Sequence, residues 1–285
     1  MIRGRKGYTI SCMKRFIHRH RQAILANFIL LLLLSSPSLL IAEGPTSAAL
    51  AGYRNYCKQV EARLARQHLS VGAFLAPATS SPEDEEIRLR KGEVIIEQLT
   101  PANANLPGAL LHHWRATAFA PGATVSDFVH LMQNLSAYPR VFAPQVLQAK
   151  LLSRDGVHMQ TWMRVRQQHV ITVVMDGTYN VTFGQLNPLH GYSISRSTQI
   201  SEIESPGTSS EHALGISQGH GFLWQQSTYW SYEERNGGLY LQVESISLTR
   251  SIPLGLDWVI GPYVKSVPRE SLEFTLRSVC NALRK

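Results

Sequence analysis

Little in this chain marks it for redox, metal or nucleotide chemistry. Of its 285 residues three are cysteines. One of these, Cys12, lies in the basic N-terminal stretch, so a disulfide-dense scaffold is excluded. Cys57 and Cys280 remain, an even pair, and in an oxidising compartment they could tie the first helix to the last. Eleven histidines are present, yet past residue 42 none falls into an HxxxH spacing and no CxxC occurs. No metal site is therefore expected. A glycine-rich phosphate loop and a dinucleotide fingerprint are also missing, and no cofactor is expected.

An excess of one charge is lacking as well, once the chain is divided. Residues 1–42 carry Arg3, Arg5, Lys6, Lys14, Arg15, Arg19 and Arg21 and no acid. Setting those seven aside leaves 21 basic residues against the 20 acidic ones. All but one unit of the +8 net charge thus belongs to the N-terminal segment, and a nucleic-acid partner is set aside. After the basic stretch comes an apolar run, Ala23 to Ala42, interrupted by Asn27 and by Ser35–Ser38 around Pro37. Basic-then-apolar is the order of a secretory signal, and a run of about 20 residues also reaches a membrane span. Residues 1–42 are therefore read as a signal peptide or an anchor, with residues 23–42 available for membrane association. The rest would then work outside the cytoplasm, in the periplasm, secreted, or tethered to the inner membrane. No second apolar run of that length exists.

Patterning supplies the elements. Residues 47–69 read as a helix, with Leu50, Tyr53, Cys57, Val60 and Leu64 forming one apolar stripe. Residues 76–86, rich in proline, serine and acid, read as a loop, followed by a short strand from Glu93 to Leu99 and another loop to Gly108. A strand is expected over Leu110–Phe119 and a helix over Thr124–Leu135, with Thr124 and Asp127 spaced as a capping box and Pro139 ending it. Strands follow at 145–153, 157–167, 169–184, 190–203, 220–233 and 238–249, rich in Val, Ile, Thr and aromatics. Arg154-Asp155-Gly156 and Asn236-Gly237-Gly238 read as hairpin turns, and Asp176-Gly177 as either a division or a bulge. Ile252–Val264, with Pro253, Gly255, Gly261 and Pro262, reads as broken; a final helix then starts at Ser266–Pro268, striped by Leu272, Leu276, Val279, Cys280 and Leu283.

Several residues invite chemistry. His112 and His113 are adjacent, so on a strand they point to opposite faces. Gly215-Ile216-Ser217-Gln218-Gly219 matches a nucleophile elbow by letter, but it lies in a loop with His220 and Gly221 after it, not between strand and helix. No catalytic residue is assigned. Glu244 interrupts an apolar strand; it faces either a cavity, with a raised pKa unless Arg250 or Arg164 pairs with it, or the other side of the pleat. Arg250 ends that strand and could hold an anionic group at a cavity mouth, or join a surface ion pair. Among the aromatics of 222–240, Trp224, Trp230 and Tyr232 share parity and Tyr229 opposes them. Such a stripe is sheet core or the wall of a ligand site.

Strand, helix, a run of antiparallel strands and a long amphipathic C-terminal helix make an α+β helix-grip order. The segments Trp230–Tyr240, Glu244–Pro253 and Pro268–Leu272 resemble the START-like (SRPBCC) superfamily, and more narrowly its exported members from soil bacteria of the acidobacterial type. The resemblance covers residues 108–285, leaving 43–107 as an extra helix and linker. It implies a curved antiparallel sheet wrapped around the C-terminal helix, with an apolar cavity between them and an apolar small molecule or lipid as partner. Trp224, Tyr229, Trp230, Glu244 and Arg250 are the candidate ligand-binding residues. Two alternatives stay open: a cyclase- or hydrolase-like enzyme on this scaffold using Glu244, and an envelope protein that docks a partner through the 47–69 helix.

Overall fold

The computed structural model describes residues 44–78, 81–102, 104–168, 171–252 and 257–284, apart from the side chains of 105 and 257–265. Residues 1–42, read above as a signal or anchor, lie outside the described residues, as do residues 253–256 of the stretch 252–264 read as broken. Residues 44–285 form one compact unit, so the N-terminal helix and the stretch read as a linker belong to the same body as the sheet.

In chain order the elements are α1 (Ser47–Gln67), α2 (Pro82–Arg90), β1 (Ile95–Gln98), β2 (Asn105–Leu106), β3 (Ala109–Pro121), α3 (Val125–Gln133) and α4 (Tyr138–Val141). Then come β4 (Val146–Asp155), β5 (His158–Gln168), β6 (Thr172–Asn187), β7 (His190–Glu204), β8 (His212–Ala213), β9 (Gln225–Arg235), β10 (Gly238–Arg250) and α5 (Asp257–Leu283). The strands lie in the order β1-β3-β10-β9-β7-β6-β5-β4, with β2 beside β3 and β8 beside β7. Every pairing is antiparallel.

Local chemistry explains the turns that set this register. Asn236 and Gly237 both take positive φ, 53° and 80°, and Arg235 pairs with Gly238 across them. Two central residues at positive φ match the right-handed twist of the flanking strands, which is why Asn-Gly closes this hairpin. Gly156, at φ 55°, does the same work between β4 and β5. Asp176-Gly177 lies within one unbroken strand, and the irregularity falls next to it, where Thr178 and Tyr179 shift register against β7. At α3, Thr124 accepts from the Asp127 backbone N–H while the Asp127 carboxylate takes that of Thr124, the full capping box.

Three expectations need correction. Residues 82–90 are helical, not loop. Ser81 caps the helix, Pro82 occupies its first turn, and Glu83, Asp84 and Glu85 stand at its positive end with Arg88 and Arg90 at the other. The acid run that suggests a solvated loop is thus what the helix dipole favours. Second, α3 stops at Gln133 without Pro139, which instead opens the short α4. Third, α5 is continuous from Asp257 through Gly261, Pro262 and Pro268. A proline removes one helical hydrogen bond and tilts the axis without having to end the helix.

The core has two layers on opposite faces of the sheet. On one, Ala116, Ala118 and Ala120 of β3 with Leu239, Leu241 and Val243 of β10 meet Leu272, Leu276, Val279 and Leu283 of α5. The three alanines leave room for the helix to press against the strand. On the other face the stripe of α1, Ala49, Tyr53, Cys57, Val60 and Leu64, covers Ala109, Leu111, Ile246 and Leu248. The result is the helix-grip arrangement expected, with an extra helix on the back of the sheet. Among the described residues no helix is long and apolar enough to cross a membrane.

Candidate functional site

The two faces differ in chemistry as sharply as in position. On the face toward α5, called the grip face here, β5 and β6 present Met159, Met163, Val181 and Phe183, and β9 presents Trp230 and Tyr232. Phe128 of α3 lies against both rings, 5.2 Å from Trp230 and 4.6 Å from Tyr232. Burial falls off across this face. Leu239, Leu241 and Val243 are wholly buried, whereas Met163, Val181, Val146 and Ala149 toward the β4 edge are only partly covered.

The strands' charged side chains stand mostly on the back. Arg164 makes a two-point ion pair with Asp176, 2.7 and 2.9 Å, and a third contact to Glu211 at 2.7 Å. Arg196 joins Glu61 of α1 at 2.7 Å. Three strand carboxylates share the parity of the grip face: the exposed Glu204, which meets His212 at 3.2 Å, and two that are bound by backbone N–H groups. Glu234 accepts from Val125, and Glu202 from His220, Gly221 and Phe222.

Beneath α1 lies a buried polar cluster. Glu244, 2% exposed, meets Arg63, accepts from His113 Nε2 at 2.9 Å and lies 3.8 Å from Arg115. Arg115 is also bound by Glu97 at 2.8 Å. Burial pushes the Glu244 carboxyl upward, but the His113 hydrogen bond and the Arg63 charge outweigh it and hold the group below its ordinary range. With Glu244 ionised, His113 donates from Nε2, so in the neutral ring Nδ1 accepts from the Tyr56 hydroxyl 2.9 Å away. Tyr53 donates to Ser227 at 3.0 Å and Tyr229 to Glu61 at 3.0 Å. These contacts lock α1 onto the sheet.

The candidate residues are therefore divided. Trp230 faces the grip. Tyr229 and Glu244 face the back, so Glu244 meets neither cavity nor solvent, and its partners are Arg63, His113 and Arg115 rather than Arg250 or Arg164. Trp224 was expected on the Trp230 side; it precedes β9, escapes the strand's alternation, and packs with Ile246 and Leu248 on the back. Arg250 ends β10, its N–H donating to Gly221 O at 2.8 Å. Gly221, at φ 80°, sits where a side chain would start 2.6 Å from the Arg250 Cβ, so this approach demands glycine. Cys57 and Cys280 are both free buried thiols, one in each core layer with the sheet between them, so the possible disulfide between them is not formed.

The Gly-x-Ser-x-Gly match forms a tight turn, Gln218 and Gly219 both donating to Gly215 O, and the Glu202 carboxylate anchors the stretch after it. This loop walls a cavity of about 410 Å³ with Ile200, Leu214, Ile216 and Trp224. Among the described residues no cluster of three or more His, Cys, Asp or Glu is placed to hold a metal.

One part of the grip face went unnoticed in the sequence. Trp114 shares the parity of Ala116 and Ala118, and its ring is only partly buried against the grip layer. Its indole Nε1 is nevertheless buried with no hydrogen-bond partner among the described residues. On the same side stand His112, bonded to Thr249 at 3.2 Å and held by burial at a pKa of about 4, and the hydroxyls of Thr228, Ser245 and Ser247. Parity could have found Trp114, once the buried direction of β3 was known.

A curved antiparallel sheet closed over a long C-terminal helix defines a helix-grip protein. Similar solved structures include a STAR-related lipid transfer protein fragment from Xanthomonas axonopodis, 16% identical, covering 67% of this chain and 99% of that one at a TM-score of 0.42. Human STARD10 is 8% identical over 72% and 83% of the two chains, at 0.40. The Zhui aromatase/cyclase from Streptomyces sp. R1128 is 12% identical over 61% and 92%, at 0.39. No protein-family model and no curated protein matches the chain.

Proposed function

We propose that this is an exported binding protein that holds an apolar, lipid-like molecule between the grip face and α5. One observation carries the reading: the apolar side chains of the grip face lose their cover toward β4, while the ion pairs are gathered on the back. Met163, Val181 and Val146 are only partly buried where they pack against the grip layer. Burying such a side chain fully is worth about 1.5–3 kcal/mol, so a ligand that covers several of them is held by the hydrophobic effect alone. The basic-then-apolar order of residues 1–42 supports work outside the cytoplasm.

Two rival roles lose their footing. The stripe of α1 is consumed by the sheet, so it offers no apolar docking surface. Glu244 is spent on His113 and Arg63 behind the sheet, so acid–base work in the grip does not fall to it.

The test is native mass spectrometry of the purified full chain, with extraction and lipid analysis of whatever it carries. A stoichiometric apolar adduct, lost in Val181→Arg, is the expected result. A bare mass that stays bare when lipids are supplied overturns the reading.

A further inference from the structure

We propose that the bound molecule is a neutral lipid whose polar end is an uncharged hydrogen-bond acceptor, a hydroxyl or a carbonyl, received by the indole N–H of Trp114. This rests on the binding role proposed above and narrows its ligand class.

The argument begins with charge. Arg115, Glu244, Arg164, Asp176 and Arg196 all point to the back of the sheet, and each has an ion-pair partner there. Of the strand acids with grip parity, Glu202 and Glu234 are bound to backbone N–H groups and the exposed Glu204 meets His212. The one described strand guanidinium with grip parity, Arg154 of β4 opposite Met159, stands at the β4–β5 hairpin and donates to Gly156 O and to Gln133 of α3. The strands that carry Trp114 and its neighbours, β3, β9 and β10, therefore offer the grip no guanidinium or ammonium for a phosphate or carboxylate. An anionic head group would be desolvated there without compensation, at a cost that lipid burial cannot recover.

What the grip face does offer is neutral and donor-rich. The hydroxyls of Thr228, Ser245 and Ser247 and the ring of His112 stand on β3, β9 and β10 around Trp114. Among them the Trp114 Nε1–H is the donor that is buried and unmet. Indole is a donor only, so it cannot be satisfied by rotating into another role, and a buried donor left unpaired is costly. An acceptor atom brought in by a ligand answers that need. The ring's partial exposure puts it on the side from which the ligand would come.

The probes are four molecules with the same chain length: 1-octadecene, oleyl alcohol, methyl oleate and oleate. Their binding to the full chain is measured by calorimetry at neutral pH. The alcohol and the ester are expected to bind about tenfold more tightly than the hydrocarbon, the worth of one hydrogen bond. Oleate is expected to bind more weakly than its methyl ester by at least about tenfold. Trp114→Phe should lower the ester to the level of the hydrocarbon and leave the hydrocarbon unchanged. Oleate binding as well as the ester overturns the inference while leaving the binding role standing, and so does Trp114→Phe weakening all four equally. Binding of none overturns the binding role itself. If Trp114→Phe does not fold, the wild-type series decides alone.

Discussion

Replacing Glu244 with glutamine separates the two faces of the sheet experimentally. The carboxylate is 2% exposed and neutralises charge from Arg63, 37% exposed, and Arg115, 10% exposed, while holding His113. Removing one partner of a buried ion pair costs about 3–5 kcal/mol. Two features soften that here. A glutamine oxygen can still accept from His113, and Arg63 can turn to water. The expected loss is therefore about 2–3 kcal/mol, or about 5–10 °C in Tm for a domain of this size. Arg63→Gln should cost about 1 kcal/mol or less, because that partner is already half in solvent. Differential scanning calorimetry and urea titration at neutral pH measure both. Since Glu244 lies behind the sheet, methyl oleate should bind the folded Glu244→Gln variant as it binds the wild type. An unchanged Tm would refute the assignment of Glu244 as the anchor of α1. Lost binding in a stable variant would refute its placement away from the ligand.

Two further outcomes follow from the same contacts. Burial holds His68 and His112 at about 4, below their ordinary 6.5. The unfolded chain therefore takes up protons first, so stability is complete above 6.5 and is lost as the pH falls from 6.5 toward 4. The loss is up to about 3 kcal/mol for His112 and less for the more exposed His68; urea midpoints that stay flat across this window would contradict it. Thr124→Ala removes one half of the α3 capping box and should cost about 1 kcal/mol, read from the urea midpoint, with no effect if the cap is ornamental.

Much of the architecture was legible because it rests on short-range chemistry. The Asn236-Gly237 turn, the Thr124–Asp127 cap and the stripes of α1 and α5 each depend on residues within a few positions of one another. The alternation of His112 and His113 across β3 was legible for the same reason. The site was not. Glu244 pairs with residues 131 and 181 positions away, and no spacing rule reaches that far. Strand parity sorts residues into two sets but does not name the face each set takes. Trp224 failed even the sorting, because β9 begins one residue after it. The orphaned Trp114 N–H became visible only when the positions around it were known.

The sheet is clad unevenly, and this has a consequence for motion. β3, β10 and β9 are pressed between α1 on one side and α5 on the other, so their amides should be the last to exchange with solvent water. β4 is an edge strand, and Leu151, Leu152 and Val157 at its hairpin are 47%, 50% and 52% exposed. The sheet is thus clad on both faces along one side and more sparsely along the other. A molecule that enters the grip need not prise α5 from β3, where the packing is densest. Under the binding role proposed above, it would pass by the margin at the β4–β5 hairpin, where the side chains are most exposed.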